Sequence, residues 1–493
     1  MMMKKWIALV LSAVLVLSIC GCGKTEAPAT QEAQTQIVET VDITGKFAIG
    51  FGRADISPKE AVPISGITAN GTDRMSTSIH DTLYVSCIAM TDEKGETRLL
   101  MSWDLQGSYA EVLDSIRSLI SSDVNVPLEN ITLTAIHTHS GPAVRDNTVA
   151  YMAEYRTMLG VQCIEAARVA MADRKPAEVY YSQVEVEGMN SVRHYTNELE
   201  DGSLIYWGDQ YRVGTCSVNT TTKHVAEPDR TMYIVRFQRE GDKDVVLCNW
   251  RAHPHLFTSS SSFKVSADFI GAFRTAAEAY YDCYFTYFQG AAGNVNATSK
   301  ISGELKTKDY GEYGHIMAEY MLQAMENETK VETTTIQSRQ NQRVFEQNHT
   351  TDHLVAYATV CRRMWQTGSS NAEATAYGEP YGVYGPVAAA SIISRAKKGE
   401  TITSELNAFA IGDQICFVTA PHELFDTNSV WLEGQSPYDV TLTFGYTNAM
   451  NGYVPSAAAF EYGCYEANCT NLMPGGGEQI QEEFLVMLND MFK

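Results

Sequence analysis

The sequence of 493 residues is acidic, with 59 Asp and Glu against 37 Lys and Arg and a formal charge of -22. Such a surface repels polyanions, which argues against nucleic acid as a partner and against a polybasic grip on anionic lipid. Hydrophobic residues at 44% and aromatics at 10% supply a large core, and no internal linker, repeat or low-complexity tract divides it, so one large domain or two merged lobes is expected.

The first residues carry Lys4 and Lys5, an apolar run from Trp6 to Ile19, and then Ile19-Cys20-Gly21-Cys22. The run is short for a bilayer span and has the proportions of a secretory signal. Its end resembles a bacterial lipobox, with Gly21 before an acceptor cysteine at Cys22. Residues 1–22 are therefore expected to be a lipoprotein signal peptide, 23–46 a flexible tether without apolar periodicity, and 47–493 the folded domain. The expected location is extracytoplasmic, on a bacterial cell membrane, through the lipid anchor. Nine further cysteines run from Cys87 to Cys469 without a Cys-x-x-Cys. Cys464 and Cys469 are close enough to bridge across a turn, and the odd count leaves at least one thiol free.

Along the chain, buried-type strands end in chemically able side chains. Arg98 to Trp103 runs into Asp104, and a helical pattern follows over Tyr109 to Ile120. Ile131 to Ile136 delivers His137-Thr138-His139 and is stopped by Ser140-Gly141-Pro142; strand alternation puts the two histidines on one face. After a helical pattern from Val149 to Ala172, Val245 to Trp250 runs into His253-Pro254-His255. A helix over Asp268 to Tyr281 precedes Tyr284 to Phe288, which leads into Gln289 through Asn296. Gln414 to Thr419 then reaches His422 and Glu423, Val440 to Tyr446 reaches Asn448 and Tyr453, and an amphipathic helix spans Glu478 to Phe492. Strands alternating with helices indicate an α/β fold, a mixed β-sheet core with flanking helices whose active site lies at the C-terminal ends of strands.

Zinc prefers imidazole nitrogen with a carboxylate and, in catalytic sites, keeps one position for water. His137, His253 and Glu423 would supply two imidazoles and one carboxylate, and the bound water would fall to a pKa near 7. His139 or His255 would then move protons. Taken singly, His253-Pro254-His255 is also consistent with a turn holding one buried histidine, and Glu423 with a helix N-terminal charge, because Pro421-His-Glu-Leu-Phe looks like a helix start.

The chain resembles the catalytic domain of the neutral/alkaline non-lysosomal ceramidases, in order from Gly50 to about Gly475. The matching pieces are Gly52-Arg-Ala-Asp-Ile-Ser-Pro58, Ile79-His-Asp-Thr-Leu-Tyr84, His137-Thr-His-Ser-Gly-Pro142, Asn249-Trp-Arg-Ala-His-Pro254, Ser266-Ala-Asp268, Gln289 to Asn296, Ala420-Pro-His-Glu423, and Asn448 through Gly452-Tyr-Val-Pro455 to Tyr465-Glu466. The resemblance implies a zinc ion, Zn2+, held by His137, His253, Glu423 and Tyr453. A nearby dication would stabilise a tyrosinate against its usual pKa of about 10. It further implies that His139 lies beside the reacting amide, that Arg193 sits near the active site, and that Tyr465 donates towards the substrate carbonyl.

One departure stands out. Where those enzymes carry a serine needed for amide cleavage, in a Gly-Asp/Asn-x-Ser-Pro-Asn segment, this chain has Gly293-Asn-Val-Asn296-Ala-Thr298. An amide has no hydroxyl for nucleophilic attack or proton relay, though it can donate a hydrogen bond to an oxyanion. No counterpart of the C-terminal immunoglobulin-like domain usual in full ceramidases is present in these residues. The expectation is a zinc-dependent hydrolase of a small-molecule amide or ester, for which long-chain ceramide is a poor substrate. The alternative is a catalytically inactive ligand-binding lipoprotein that retains the zinc pocket.

Overall fold

The computed structural model describes residues 41–66, 75–213, 216–257 and 263–492. The expected signal peptide with Cys22, and the expected tether up to residue 40, lie outside the described residues. Two sheets carry the fold. In the larger, the order is Cys283–Gln289, Asp244–Trp250, Thr231–Arg239, Lys175–Glu185, Ala48–Asp55, Tyr84–Thr91, Thr97–Trp103 and Ile131–Ala135, with Thr329–Lys330 paired onto Lys175–Glu185. In the smaller it is Ile336–Glu346, Thr401–Ile411, Ile415–Thr419 and Val440–Phe444.

The sheets face one another across an apolar layer that includes Phe51, Leu100 and Leu247 from one side and Phe409, Phe417 and Leu442 from the other. Phe288 stacks on Phe444 across that layer with ring centroids 4.7 Å apart. Helices Ala110–Val124, Tyr151–Ala172, Phe269–Tyr280 and Tyr310–Met325 cover the outer face of the large sheet. Gly476–Met491 and Asp426–Gln435 cover the outer face of the small one. The result is a helix–sheet–sheet–helix stack, an α/β fold with a mixed sheet core and flanking helices.

Within these two sheets most neighbours are antiparallel, but three pairs are parallel: Thr97–Trp103 with Ile131–Ala135, Asp244–Trp250 with Cys283–Gln289, and Ile415–Thr419 with Val440–Phe444. These six strands are the six whose ends stand out in the sequence. Parallel strands are covered on both faces and so read as continuous apolar runs. Antiparallel strands such as Lys175–Glu185 and Ile336–Glu346, with polar and half-exposed positions, carry no such signal. All nine described cysteines are free thiols, Cys464 and Cys469 among them.

Candidate functional site

The Ile131–Ala135 strand ends before the histidines, and His137 sits in left-handed backbone at φ 69°. Strand alternation therefore does not place His137 and His139 together; a turn does, with their Nε2 atoms 3.3 Å apart. Backbone bonds fix that turn: His137 N–H donates to Leu105 O, and His139 N–H to Pro254 O, which stitches the first histidine loop to the second. Gly66, at φ +93°, lies against His139 so closely that a Cβ there would stand 2.6 Å from the imidazole. His253 leaves the Asp244–Trp250 strand and is held by its N–H to Val295 O at 3.0 Å.

Glu423 does not open a helix. It pairs with Tyr453 in a short parallel ladder, Glu423–Leu424 against Tyr453–Val454, and the helix begins only at Asp426. Gly293 makes room for this ladder, since a Cβ on it would meet Glu423 O at 2.5 Å. Glu423 Oε2 thereby comes to 3.4 Å from His137 Nε2 and 3.6 Å from His253 Nε2. The donor atoms of His137, His139 and His253 all lie within 4.8 Å of one another. Tyr446, from the end of Val440–Phe444, stacks on the His137 ring at 4.1 Å.

The donor set fits a cation. His137 Nδ1 faces Gln106 O at 2.7 Å and His253 Nδ1 faces Val295 O at 3.2 Å. A carbonyl accepts only, so the Nδ1 atoms carry the protons and both Nε2 lone pairs point at Glu423. His253 Nε2 and Glu423 Oε2 are buried without a hydrogen-bond partner, a costly condition unless something positive stands between them. Burial, against the pull of Glu423, lowers the His137 imidazole to about 3, and burial with the positive Arg193 lowers His253 to about 3. Both rings are thus neutral at pH 7, the form in which imidazole binds a metal. Burial raises the Glu423 carboxyl and, with Glu423 beside it, lifts the Tyr453 hydroxyl well above its usual value.

His139, His255, Tyr453 and Tyr465 are half-buried, unlike His137, His253 and Glu423, and so form the open side of the cluster. The His255 ring lies 6.0 Å from that of His139, and Tyr465 packs edge-on to Tyr453 at 5.8 Å. Arg193 is brought in from the Ser191–Val192 strand, its guanidinium over the Tyr453 ring at 5.4 Å. Its partner is Glu466, which accepts from Arg193 Nε at 2.6 Å and sits 2.8 Å from His194 Nε2. Tyr462 OH lies 2.9 Å from the other His194 nitrogen. Burial alone would raise the Glu466 carboxyl; Arg193 and His194 together overcome this and hold it below its usual range. The sequence contains Glu466 within a matched segment, but neither it nor His194 carries a local signal of this role.

Asn296 lies in a two-residue strand, Val295–Asn296, paired with Ser191–Val192, and bridges His253 on its other side. Its Nδ2 donates to Asp209 Oδ2 at 2.5 Å, so one amide N–H is committed to a carboxylate. Asp209, in a turn after Leu204–Gly208, is a site neighbour that the sequence reading does not single out.

No family model matches the sequence, and no curated protein does. Solved structures do match. The chain superposes on the crystal structure of neutral ceramidase from Pseudomonas aeruginosa with a TM-score of 0.64 at 15% identity, covering 90% of this chain and 74% of that one. A structure titled as ceramidase complexed with C2 matches with a TM-score of 0.65 at 15% identity, over 90% of this chain and 75% of the other. The resemblance in the motifs is therefore met by a shared fold.

Proposed function

We propose that this protein is a zinc-dependent hydrolase that cleaves a linear amide, or an ester, at the cell envelope. The reading rests on one observation above all: two buried atoms without partners, His253 Nε2 and Glu423 Oε2, face each other at 3.6 Å beside His137. His137, His253, Glu423 and Tyr453 would hold the ion, and a nitrogen-and-oxygen donor set without sulfur suits zinc. A bound zinc supplies a Lewis acid and brings a water's pKa down to about 7.

The chain's own residues supply the rest. His139, half-buried and 3.3 Å from His137, is placed to take and return a proton at its Nε2. Arg193, locked by Glu466, fixes a positive charge beside Tyr453. Tyr465, on the open side, donates its hydroxyl towards the substrate carbonyl. Asn296 offers no nucleophile, so turnover proceeds without a covalent acyl-enzyme. Long-chain ceramide is a poor substrate for the same reason, and short N-acyl compounds and simple esters are better ones. The envelope location rests on the lipobox-like Gly21-Cys22, and palmitate labelling that survives Cys22→Ala would contradict it.

The test is turnover by the zinc-loaded protein on a panel of short N-acyl amines, simple esters and a fluorescent long-chain ceramide. Chelator-sensitive cleavage of the short compounds is expected. Ceramide cleavage at or above their rate would overturn the substrate assignment, and a trapped acyl-enzyme would overturn the mechanism. Stoichiometric zinc with no turnover on any member would favour the second reading, an inactive binding lipoprotein, to which Asn296 in the serine position lends weight.

A further inference from the structure

Asp268 is fully buried and sits at φ 58°, ψ -152°, a backbone region that only glycine enters freely. Its place just before the Phe269–Tyr280 helix is that of an N-cap, yet an N-cap has extended backbone and accepts from the second or third helical N–H. The Asp268 carboxylate accepts instead from the first, Phe269 N–H at 2.7 Å, and is otherwise spent on the second histidine loop. Its Oδ1 accepts from Leu256 N–H at 3.2 Å and its Oδ2 from Phe257 N–H at 2.8 Å. These two residues follow His253-Pro254-His255 directly, and the Pro254 carbonyl accepts from His139 N–H at 3.1 Å. The segment leading into Asp268 grips the first histidine loop as well. Thr138 Oγ1 donates to Ser266 O at 2.8 Å, and Ser266 N–H donates to Ser140 O at 3.1 Å, so both neighbours of His139 are tied to one residue. Ser266 is in turn fixed by its hydroxyl bond to Asp81, which also accepts from Ala267 N–H at 2.8 Å.

The histidines differ in what holds them. His137 and His253 have carbonyls of their own, from Leu105 and Gln106 for the one and from Val295 for the other. The backbone N–H of His139 goes to Pro254, in the loop that Asp268 anchors. A strained backbone persists only where its surroundings over-determine it. Relaxing Asp268 to the extended backbone of a regular N-cap would swing its carboxylate off Leu256 and Phe257 and release that loop. We propose that Asp268 is a positioning residue for His139, anchoring the turn at 254–257 and, through the Pro254 carbonyl, the imidazole that carries the proton. This rests on the reading of the site as a hydrolase with His139 as its general acid–base group, and adds the residue that aims that group. A misplacement of about 1 Å in such a group costs about 10²-fold in rate.

The test uses the full, zinc-loaded protein with isotope-labelled histidine, whose imidazole C–H signals are read by NMR and assigned with single His→Ala variants. Two substitutions are compared with wild type. Asp268→Gly removes the carboxylate and relieves the backbone, whereas Asp268→Asn keeps the shape and one accepting oxygen, so the pair guards against a variant that fails to fold. In Asp268→Gly the His139 signal is expected to shift or broaden while those of His137 and His253 stay in place and one zinc remains bound. Its kcat on N-butyrylethanolamine or p-nitrophenyl butyrate should fall about 10²-fold with KM little changed. Asp268→Asn should move the signal and the rate in the same direction and less far. A His139 signal at its wild-type position in both variants, or wild-type kcat in Asp268→Gly, overturns the inference. So does a shift of the His137 and His253 signals as large as that of His139, with loss of zinc, because Asp268 would then support the whole site and aim nothing. A wild type that cleaves neither compound while the His139 signal still moves in Asp268→Gly sinks the hydrolase reading alone and leaves the anchoring of His139 standing.

Discussion

Two buried clusters of ligand-type side chains lie within this fold, and they differ in whether their atoms are already satisfied. Among the described residues, His137, His139 and His253 form one such group, and His194, Cys464 and Glu466 the other. In the second, Glu466 serves Arg193 and His194, the far nitrogen of His194 meets Tyr462, and Cys464 Sγ accepts from Ala467 N–H. In the first, His253 Nε2 and the adjacent Glu423 Oε2 have no partner. Three donor atoms in proximity do not make a metal site; unmet donors aimed at one point do, because a buried polar atom without a partner costs about 1–3 kcal/mol unless a ligand relieves it. The satisfied cluster is a brace that holds Arg193 at the edge of the unsatisfied one.

The sharpest way to break this distinction is to remove a ligand from each cluster. His137→Ala or His253→Ala should abolish stoichiometric zinc, measured by metal analysis of the purified protein; a full equivalent in both variants would mean that the ion is held elsewhere. Cys464→Ala should leave zinc untouched. Next in size, His139→Ala should keep the metal and lose about 10²- to 10⁴-fold in turnover, as removal of a general acid–base does. Glu466→Ala should also keep the metal, but it strands a buried guanidinium and should cost about 3–5 kcal/mol in urea unfolding. Glu466→Gln, which retains one hydrogen bond to Arg193, should cost less. If Glu466→Ala is as stable as wild type, the brace is not one.

How much of this was visible beforehand follows from where information sits in a chain. The six strand ends are legible because parallel, doubly covered strands leave unbroken apolar runs. His137, His253 and Glu423 lie just past such runs, so the sequence leads to them. What it misreads is the route: alternation cannot anticipate that His137 adopts φ 69°, nor that Glu423 pairs with Tyr453 thirty residues on instead of starting a helix. Asp209 and His194 are invisible for a different reason. Their partners, Asn296 and Glu466, are distant in sequence, and a lone Asp in a turn or a lone His in a strand has many commonplace uses. The segment with Cys22 lies outside the described residues, and its role rests on sequence alone.

Acid separates the clusters by pH window in the metal-free protein. The His137 and His253 imidazoles are ordinary when unfolded, near 6.5, and lowered to about 3 when folded. The unfolded chain therefore binds more protons once pH drops below 6.5, and stability falls from there towards pH 3 by up to about 1.4 kcal/mol per pH unit for each ring. Glu466 is also lowered, from 4.5, so its contribution is complete above that value and is lost only at more acid pH. His253→Ala should thus flatten the slope of urea-unfolding stability between pH 6.5 and 4.5, and Glu466→Gln should flatten it only below 4.5. An unchanged slope in His253→Ala would show that the ring is not neutralised by burial.

The smallest expected effect is at Tyr446, whose hydroxyl is buried without a partner while its ring stacks on His137. Tyr446→Phe should leave zinc stoichiometry unchanged and should not lower stability, since the lost hydroxyl is buried and makes no bond. Tyr453→Phe, by contrast, should weaken zinc binding, and equal behaviour of the two variants would remove Tyr453 from the ligand set.

Zinc X-ray absorption of the purified, full-length protein tests the central claim most directly. The account predicts one zinc per chain with only nitrogen and oxygen neighbours near 2.0–2.2 Å, two of them showing the multiple scattering of imidazole. A sulfur neighbour near 2.3 Å, as the His194–Cys464–Glu466 cluster would give, or no zinc at all, would contradict the account.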